Sequence, residues 1–269
     1  MIKSIDKAIQ IMNVIANSAN NTPTLKYIST VTKINKSTCV RIIDTLIKNG
    51  VLIKISVSKG YFFGPRAYLW TNNGRFFDGF IRIAEPVLRW LNKKLDKTVT
   101  LATVINNKKY IIDFIESDTN FFNPNFHIIE DSFYHNATGI LLLANLDKNE
   151  IFDIYSTQKN LPKQLGWSEV KNFNEFYTKL TVIRKNKIFK NINPRGTNDV
   201  DYINIGYGHL IKCGYKIYGA IGVAIQTKDI STVTENEEQK VYKHLNAAAK
   251  EIEKRILLNE ESADDYSKK

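Results

Sequence analysis

The stretch Asn35–Gly50, NKSTCVRIIDTLIKNG, predicts a short amphipathic helix whose start and end are both marked. Asn35 is a residue type that caps helix N-termini, and Gly50 readily takes the left-handed backbone that commonly ends a helix. Between them, apolar residues recur at helical spacing and predict a buried stripe of Val40, Ile43, Leu46 and Ile47. The interpretation of the neighbouring segments depends on this helix.

The other face of the predicted helix carries hydrogen-bond donors and hydroxyl groups, with Asp44 as its one acid. Such side chains suit contacts with phosphates and with base edges in a major groove. An ordinary solvated helix face has a similar composition, so the flanking segments decide between the two interpretations. The DNA-binding interpretation assigns contacts to Lys36, Ser37, Thr38, Arg41 and Thr45.

Two further helices and a hairpin are predicted around this stretch. Ser4 can cap a first amphipathic helix, and a second, over about residues 25–31, follows Pro23 and Thr24. The segment VLIKISVSKGYFFG alternates in polarity and predicts a hairpin around residues 58–60. This order is typical of a winged helix-turn-helix, here residues 1–65, in which Lys54 and Lys59 of the wing lie beside the recognition helix.

The positive charge of the chain is concentrated in its first part. The formal net charge is +11 over 269 residues, and residues 1–75 hold eleven Lys and Arg against only Asp6 and Asp44. A basic first part joined to a nearly neutral remainder is typical of a module that binds a polyanion, attached to a second module. A membrane surface is the competing polyanion, but no apolar run approaches the ~18–20 residues that a membrane span requires. Double-stranded DNA is therefore the predicted partner.

The cysteines and histidines predict neither a disulfide framework nor a metal site. Cys39 and Cys213 lie far apart in the sequence, in different predicted domains. The four histidines are not paired with Cys or carboxylates at metal-ligand spacing. The N-terminus lacks a signal-peptide pattern, so a reducing cytoplasm is the expected compartment, with no cofactor.

The remainder of the chain predicts an α+β domain. Residues 66–80 are expected to form a linker helix, whose aromatic neighbours would pack either on a partner subunit or within the chain. Residues 81–258 mix both periods: VTLATVI and KYIIDFIES predict a hairpin across Asn106 and Asn107, and ATGILLLANL predicts a buried helix. About five strands with helices at either end favour an antiparallel sheet. Residues 259–269 are expected to be a disordered tail.

The chain resembles the isocitrate-lyase-regulator (IclR) family of bacterial transcription factors over nearly its whole length. SIDKAIQIMNVIA resembles the opening helix of the family, and INKSTCVRIIDTLIKNG resembles its recognition segment G-L-P-K-S-T-x-x-R-L-L-x-x-L. GYFFGPRAYLW resembles the end of the wing and the linker helix. The later segments IAEPVLRWLNKKLDKTVTL, HNATGILLLANL, INIGYGH and GAIGVAI follow the order of the family's GAF-like effector domain. The resemblance implies a homodimer or tetramer that binds an operator and senses a small molecule.

The resemblance also implies which residues would line the effector site: Asn136, Thr138, Gly139, Asn204, Gly222 and Ala224. This chain departs from the family here. Ile140 stands where the family commonly has Lys, and Gly222-Val223-Ala224 replaces a common Ser-x-Ser. Because an anion without partners is costly to bury, we predict that the site prefers a neutral or weakly polar metabolite to a small dicarboxylate.

Two other functions are weighed against a ligand-controlled regulator: an enzyme with a DNA-binding appendage, and a DNA-binding protein whose second domain only oligomerises. No G-x-S-x-G, P-loop or dinucleotide-binding G-x-G-x-x-G lies in its required context. In IGYGH, glycine on a strand more often marks a close backbone approach, and His209 is expected to be a structural group. The chain is therefore not expected to be an enzyme, whereas sensing and pure oligomerisation both remain open.

Overall fold

The computed structural model describes residues 2–18, 22–56, 60–71, 77–117, 129–130, 133, 136–158, 167, 169–197 and 200–267. The chain divides into two compact units. Unit one comprises Met1–Phe76 and Asn123–Phe126, and unit two comprises Phe77–Phe122 and His127–Lys269. Each unit has its own hydrophobic core.

Unit one contains three helices, a two-stranded antiparallel sheet and a short fourth helix. Their bounds are α1 Lys3–Ala16, α2 Leu25–Thr32, α3 Lys36–Lys48, β1 Leu52–Ser56, β2 Gly60–Phe63 and α4 Pro65–Thr71. The helices and the sheet share one small core of Ile11, Ile15, Ile28, Ile34, Cys39, Ile43, Leu52 and Tyr61. Gly60 has a φ of +77°, and a Cβ there would lie 2.3 Å from the Pro23 carbonyl oxygen. Glycine at this position therefore lets the strand pass directly against the segment before α2.

The buried stripe of α3 differs from the predicted one. Cys39 is fully buried, whereas Val40 is 37% exposed. Both residues can form a helical stripe with Ile43, so spacing alone does not separate them. Because α3 packs against α1 and α2, the small thiol of Cys39 faces the core and Val40 lies outside it. The prediction for Val40 was wrong.

Unit two is built on a six-stranded antiparallel sheet in the order β5-β4-β3-β8-β7-β6. Its elements are α5 Asp78–Leu95, β3 Thr98–Ile105, β4 Lys108–Ile115, β5 Ile129–Glu130, α6 Ala137–Asn145, α7 Lys148–Thr157, α8 Phe173–Arg184, β6 Ile188–Thr197, β7 Val200–Cys213, β8 Lys216–Thr227, a 3-10 turn Ile230–Thr232 and α9 Glu235–Ser267. The α+β class is as predicted. The hairpin across Asn106 and Asn107 is also confirmed, with φ of 49° and 59° at the two turn residues.

Helices cover both faces of this sheet. Apolar residues of α5 and α9 pack with Val99, Leu101, Tyr207, Ile221 and Val223 to form the main core on one face. On the other face, α6 lies over β7 and β8 and is itself covered by α8. Eight of the nine residues of α6 are buried, those from Ala137 to Ala144. The start of α6 therefore lies directly on the central strands.

Two predicted boundaries differ from the structure. α9 continues to Ser267, so the expected disordered tail from residue 259 is helical through that residue. The segment NEESADDYS contains neither Gly nor Pro, so neither of the two strongest helix breakers stops the helix that precedes it. The expected linker helix 66–80 includes α4 and the start of α5, and residues 72–76 between them lie outside the described residues.

Candidate functional site

The start of α3 is fixed by the side chain of Asn35. Its Oδ1 accepts a hydrogen bond of 2.9 Å from the Thr38 amide and one of 3.1 Å from the Ser37 hydroxyl. An N-cap of this kind satisfies an otherwise unpaired amide and holds the first turn in place. Ser37 and Thr38 are therefore held at the N-terminal end of the helix.

The predicted DNA-binding side chains of α3 lie on its outer face. Lys36, Ser37, Arg41 and Thr45 are exposed, and Thr38 is half-buried at the edge of that face. The Thr45 hydroxyl donates to the Arg41 carbonyl at 2.8 Å and still has an oxygen that can accept from a ligand. Val40 and Asp44 are exposed on the same side. The face thus presents the cations Lys36 and Arg41, hydroxyl groups, the acid Asp44 and the apolar Val40.

The hairpin supplies one of the two predicted wing residues. Lys54 is exposed on β1, opposite Tyr61 of β2. Lys59 lies outside the described residues. Burial, together with the negative charge of Asp44, raises the pKa of the Tyr61 phenol, which indicates that β2 lies near the acidic side chain of α3. The structure thus brings α3 and the hairpin together within unit one.

A second polar site lies at the start of α6 in unit two. Asn136 caps this helix, and its Oδ1 accepts from the Gly139 amide at 2.9 Å, the Thr138 hydroxyl at 2.8 Å and the Lys109 ammonium at 2.9 Å. Lys109, on β4, is fully buried. Because burying an ammonium without hydrogen bonds is costly, these contacts are what allow Lys109 to lie there.

Lys109 is the residue that sequence reasoning missed. It pairs with Val104 across β3 and β4, on an edge of a hairpin that otherwise gives no sign of a buried charge. Its partner Asn136 is 27 positions away. Ile140 of α6 is 1% exposed and packs in the core. The buried cation of this site therefore comes from a strand and not from the helix.

Glycines bring α6 close to the sheet. A Cβ on Gly139 would lie 2.3 Å from the Phe133 carbonyl oxygen, and one on Gly222 would lie 2.7 Å from Cγ2 of Thr138. Gly222, expected to contact the effector, therefore faces Thr138 and also Thr100, whose Oγ1 would be 2.8 Å from the added carbon. This position allows close packing of helix on sheet.

Ala224 and Asn204 lie on the same face of the sheet, further along the strands. Ala224 pairs with Gly206, and Asn204 pairs with Gln226. A Cβ on Gly206 would lie 3.4 Å from the Ala137 amide nitrogen, so this part of the face meets the start of α6. Asn204 Oδ1 is buried and has no hydrogen-bond partner among the described residues. The predicted residues Asn204, Gly222 and Ala224 therefore share the face of the sheet that α6 covers, while Asn136, Thr138 and Gly139 form the start of that helix.

His209 lies on the opposite face and has a structural role. Its ring nitrogens lie 2.7 Å from the Leu210 carbonyl oxygen and 3.2 Å from Asn246 Oδ1 on α9. Burial lowers the pKa of this imidazole below its usual range. In the described parts of the chain, no group of three or more His, Cys, Asp or Glu could hold a metal ion, and Cys39 and Cys213 form no disulfide with each other. No described helix has the length and apolarity that crossing a membrane demands.

Solved structures that share this fold include transcriptional regulators of the IclR family. An IclR transcriptional regulator from Alicyclobacillus acidocaldarius superposes with a TM-score of 0.69 at 14% identity, covering 95% of this chain and 99% of that one. The IclR of Thermotoga maritima gives 0.61 at 19% identity with the same coverages. An IclR homologue from Microbacterium hydrocarbonoxydans, complexed with 4-hydroxybenzoate, gives 0.65 at 14% identity, again covering 95% and 99%. No protein-family model and no curated protein sequence matches the chain. The chain thus shares the IclR fold along nearly its full length.

Proposed function

We propose that this protein is a DNA-binding transcriptional regulator of the IclR type and not an enzyme. The observation that carries the proposal is the outer face of α3, where Lys36, Ser37, Arg41 and Thr45 are exposed on a capped helix within a basic unit. Three helices and a hairpin of this order form a winged helix-turn-helix, with Lys54 and Lys59 on the wing. The shared fold with IclR regulators supports the same function.

Unit two is the proposed sensor, a GAF-like domain that binds a small molecule at the start of α6. A ligand here would meet the Thr138 hydroxyl and the Asn204 oxygen, which has no hydrogen-bond partner among the described residues. Because that oxygen requires a donor, a ligand with an N–H or O–H group fits better than a bare carboxylate. The predicted preference for a neutral or weakly polar metabolite therefore rests on Asn204, whereas the buried Lys109 ammonium beside Asn136 favours an anionic group on the ligand. The Microbacterium homologue, complexed with 4-hydroxybenzoate, supports the general class of a small organic effector.

Ligand occupancy would act by changing how paired recognition helices fit two half-sites of an operator. A homodimer or tetramer in the cytoplasm is the proposed assembly, because two-fold operators require two copies of α3. Couplings of this kind are commonly ~1–3 kcal/mol. The second candidate is a unit two that only oligomerises, and the close packing of Thr138 on Gly222 favours it because that packing fills part of the same face.

The first prediction concerns Arg41. If Arg41 contacts bases, Arg41→Ala should cost ~1–3 kcal/mol on an operator selected from a random duplex pool and far less on random DNA. Arg89→Ala, an exposed arginine on α5, is the matched control and should bind both duplexes like the wild type. Fluorescence anisotropy at one fixed salt concentration measures all three proteins. Equal losses on both duplexes would make Arg41 a phosphate contact, and a wild type that binds neither duplex would refute the proposed function.

A further inference from the structure

A second basic surface adjoins α3 and involves the first turns of α1. An open groove of about 520 Å³ lies between α1 and α3, and its polar lining residues are Lys3, Ser4, Lys7, Thr38, Arg41 and Thr45. Its apolar residues come from both helices, and so do its polar ones. The groove lies entirely within unit one.

The charges of this groove have one sign. Lys3 and Lys7 from α1 and Arg41 from α3 are its ionisable residues, and Ser4, Thr38 and Thr45 add hydroxyl groups. No acidic residue is among the described residues that line it. Asp6, the one acid in the first turns of α1, accepts a hydrogen bond of 2.9 Å from Gln10. The groove therefore carries uncompensated positive charge beside the proposed DNA-binding face.

The two lysines are arranged along one edge. They are four residues apart, which is about one helical turn or roughly 6 Å along the axis, so their ammonium groups lie on the same side of α1. Lys3 is exposed and Lys7 is half-buried. Burial raises the pKa of the Cys39 thiol, at the inner side of α3, and the positive charge of Lys7 partly opposes this effect. Lys7 is thus positioned against α3, and Lys3 extends the same edge outward.

We propose that α1 is a backbone clamp: Lys3 and Lys7 bind phosphates of the DNA strand that borders the major groove entered by α3. The inference rests on the proposed function. It adds α1 to the DNA-contacting elements, which so far were the recognition helix and the wing. The groove lines cations, hydroxyls and apolar side chains together, which suits the phosphates and deoxyriboses of a DNA strand. Contacts of this kind position a protein on DNA without selecting sequence.

The test is the salt dependence of binding to a random-sequence duplex, because phosphate contacts need no operator. Lys3→Gln/Lys7→Gln should weaken binding by roughly fivefold to tenfold per lysine and should flatten the slope of log K against log salt by about 1.8, since each phosphate contact contributes ~0.9. The fold loss should be the same on a selected operator. Lys3→Arg/Lys7→Arg should retain binding. Circular dichroism confirms that each variant is folded.

The matched control removes the same charge elsewhere. Lys93→Gln/Lys94→Gln changes two exposed lysines of α5 in unit two and should leave both slope and affinity close to wild type. If the α1 variant behaves like this control while the wild type binds DNA, the clamp is refuted and the proposed function stands. A larger loss on the operator than on random DNA would also overturn it. A wild type that fails to bind any duplex would refute both.

Discussion

At the scale of single residues, Gly139 of α6 leaves no room for a side chain. A Cβ at this position would meet the Phe133 carbonyl oxygen at 2.3 Å and its carbon at 2.9 Å, and a backbone group cannot move aside cheaply. We expect Gly139→Ala to destabilise unit two by about 1–3 kcal/mol, even though alanine favours helix elsewhere. Urea unfolding of the full chain measures the change.

Gly79 provides the matched control for this substitution. It is an exposed residue in the first turn of α5, and a Cβ there would have no heavy atom within 4 Å. Gly79→Ala should therefore be neutral or stabilise by roughly 0.5–1 kcal/mol. Equal effects of the two substitutions would show that α6 does not depend on the close approach of Phe133.

At the scale of elements, Asp113 couples the packing of β4 against α5 to pH. Burial raises the pKa of this carboxyl, and the nearby negative charge of Glu85 on α5 adds to the effect. Its Oδ2 is buried without a hydrogen-bond partner among the described residues. Asp113 is therefore partly enclosed where β4 packs against α5.

The sign of the effect follows from proton binding. A raised pKa means that the folded state binds the proton more readily, so the stability contributed by Asp113 falls as pH rises from about 3.8 through the folded pKa. Asp113→Asn should therefore be more stable than wild type at pH 7, by below about 1 kcal/mol because the residue is only half-buried. The difference should vanish below pH ~3.8. Thermal unfolding between pH 3.5 and 7 measures it.

Asp229 is the control with the opposite sign. Hydrogen bonds from the Ser231 hydroxyl and amide lower its pKa, so its contribution is present at neutral pH and is lost as pH falls through the folded pKa. Asp229→Asn should be less stable than wild type at pH 7, and this difference should shrink in acid. If the stability difference from wild type changed with pH in the same direction for both variants, the burial assigned to Asp113 or the hydrogen bonding assigned to Asp229 would be contradicted.

Local chemistry explains which elements could be predicted from the sequence. The Asn35 cap and the turn at Asn106 and Asn107 depend on residues within a few positions, and the structure has them as predicted. Three features depend on partners distant in the chain and were not predictable. Cys39 is buried because two other helices cover it, Lys109 is buried beside a residue 27 positions away, and Asp113 is enclosed by α5.

At the scale of the whole molecule, two units with separate cores must communicate if a ligand is to control DNA binding. If a ligand changes the affinity of the protein for its operator by some factor, the operator must change the affinity for that ligand by the same factor. The reason is that the two binding equilibria form a closed cycle. For a coupling of ~1–3 kcal/mol the factor is roughly 5 to 150. This reciprocity separates a sensor from a unit that only oligomerises.

The last prediction combines this reciprocity with the chemistry of the site. In a thermal-shift screen of the full chain against organic acids paired with their amides, the amides should bind at least as tightly, because an amide N–H can donate to Asn204 Oδ1 and a carboxylate cannot. For the tightest ligand, calorimetry gives its dissociation constant with and without operator. The ratio of these two constants should equal the ratio of the operator's dissociation constants with and without the ligand. Asn204→Ala should weaken the amide roughly tenfold, as expected for losing a hydrogen bond of about 1.4 kcal/mol, while Gly79→Ala should not. If the acids bind more tightly than the amides and Asn204→Ala abolishes their binding, the site prefers carboxylates and the predicted ligand class is wrong. If a ligand binds without altering operator affinity, oligomerisation remains the role of unit two.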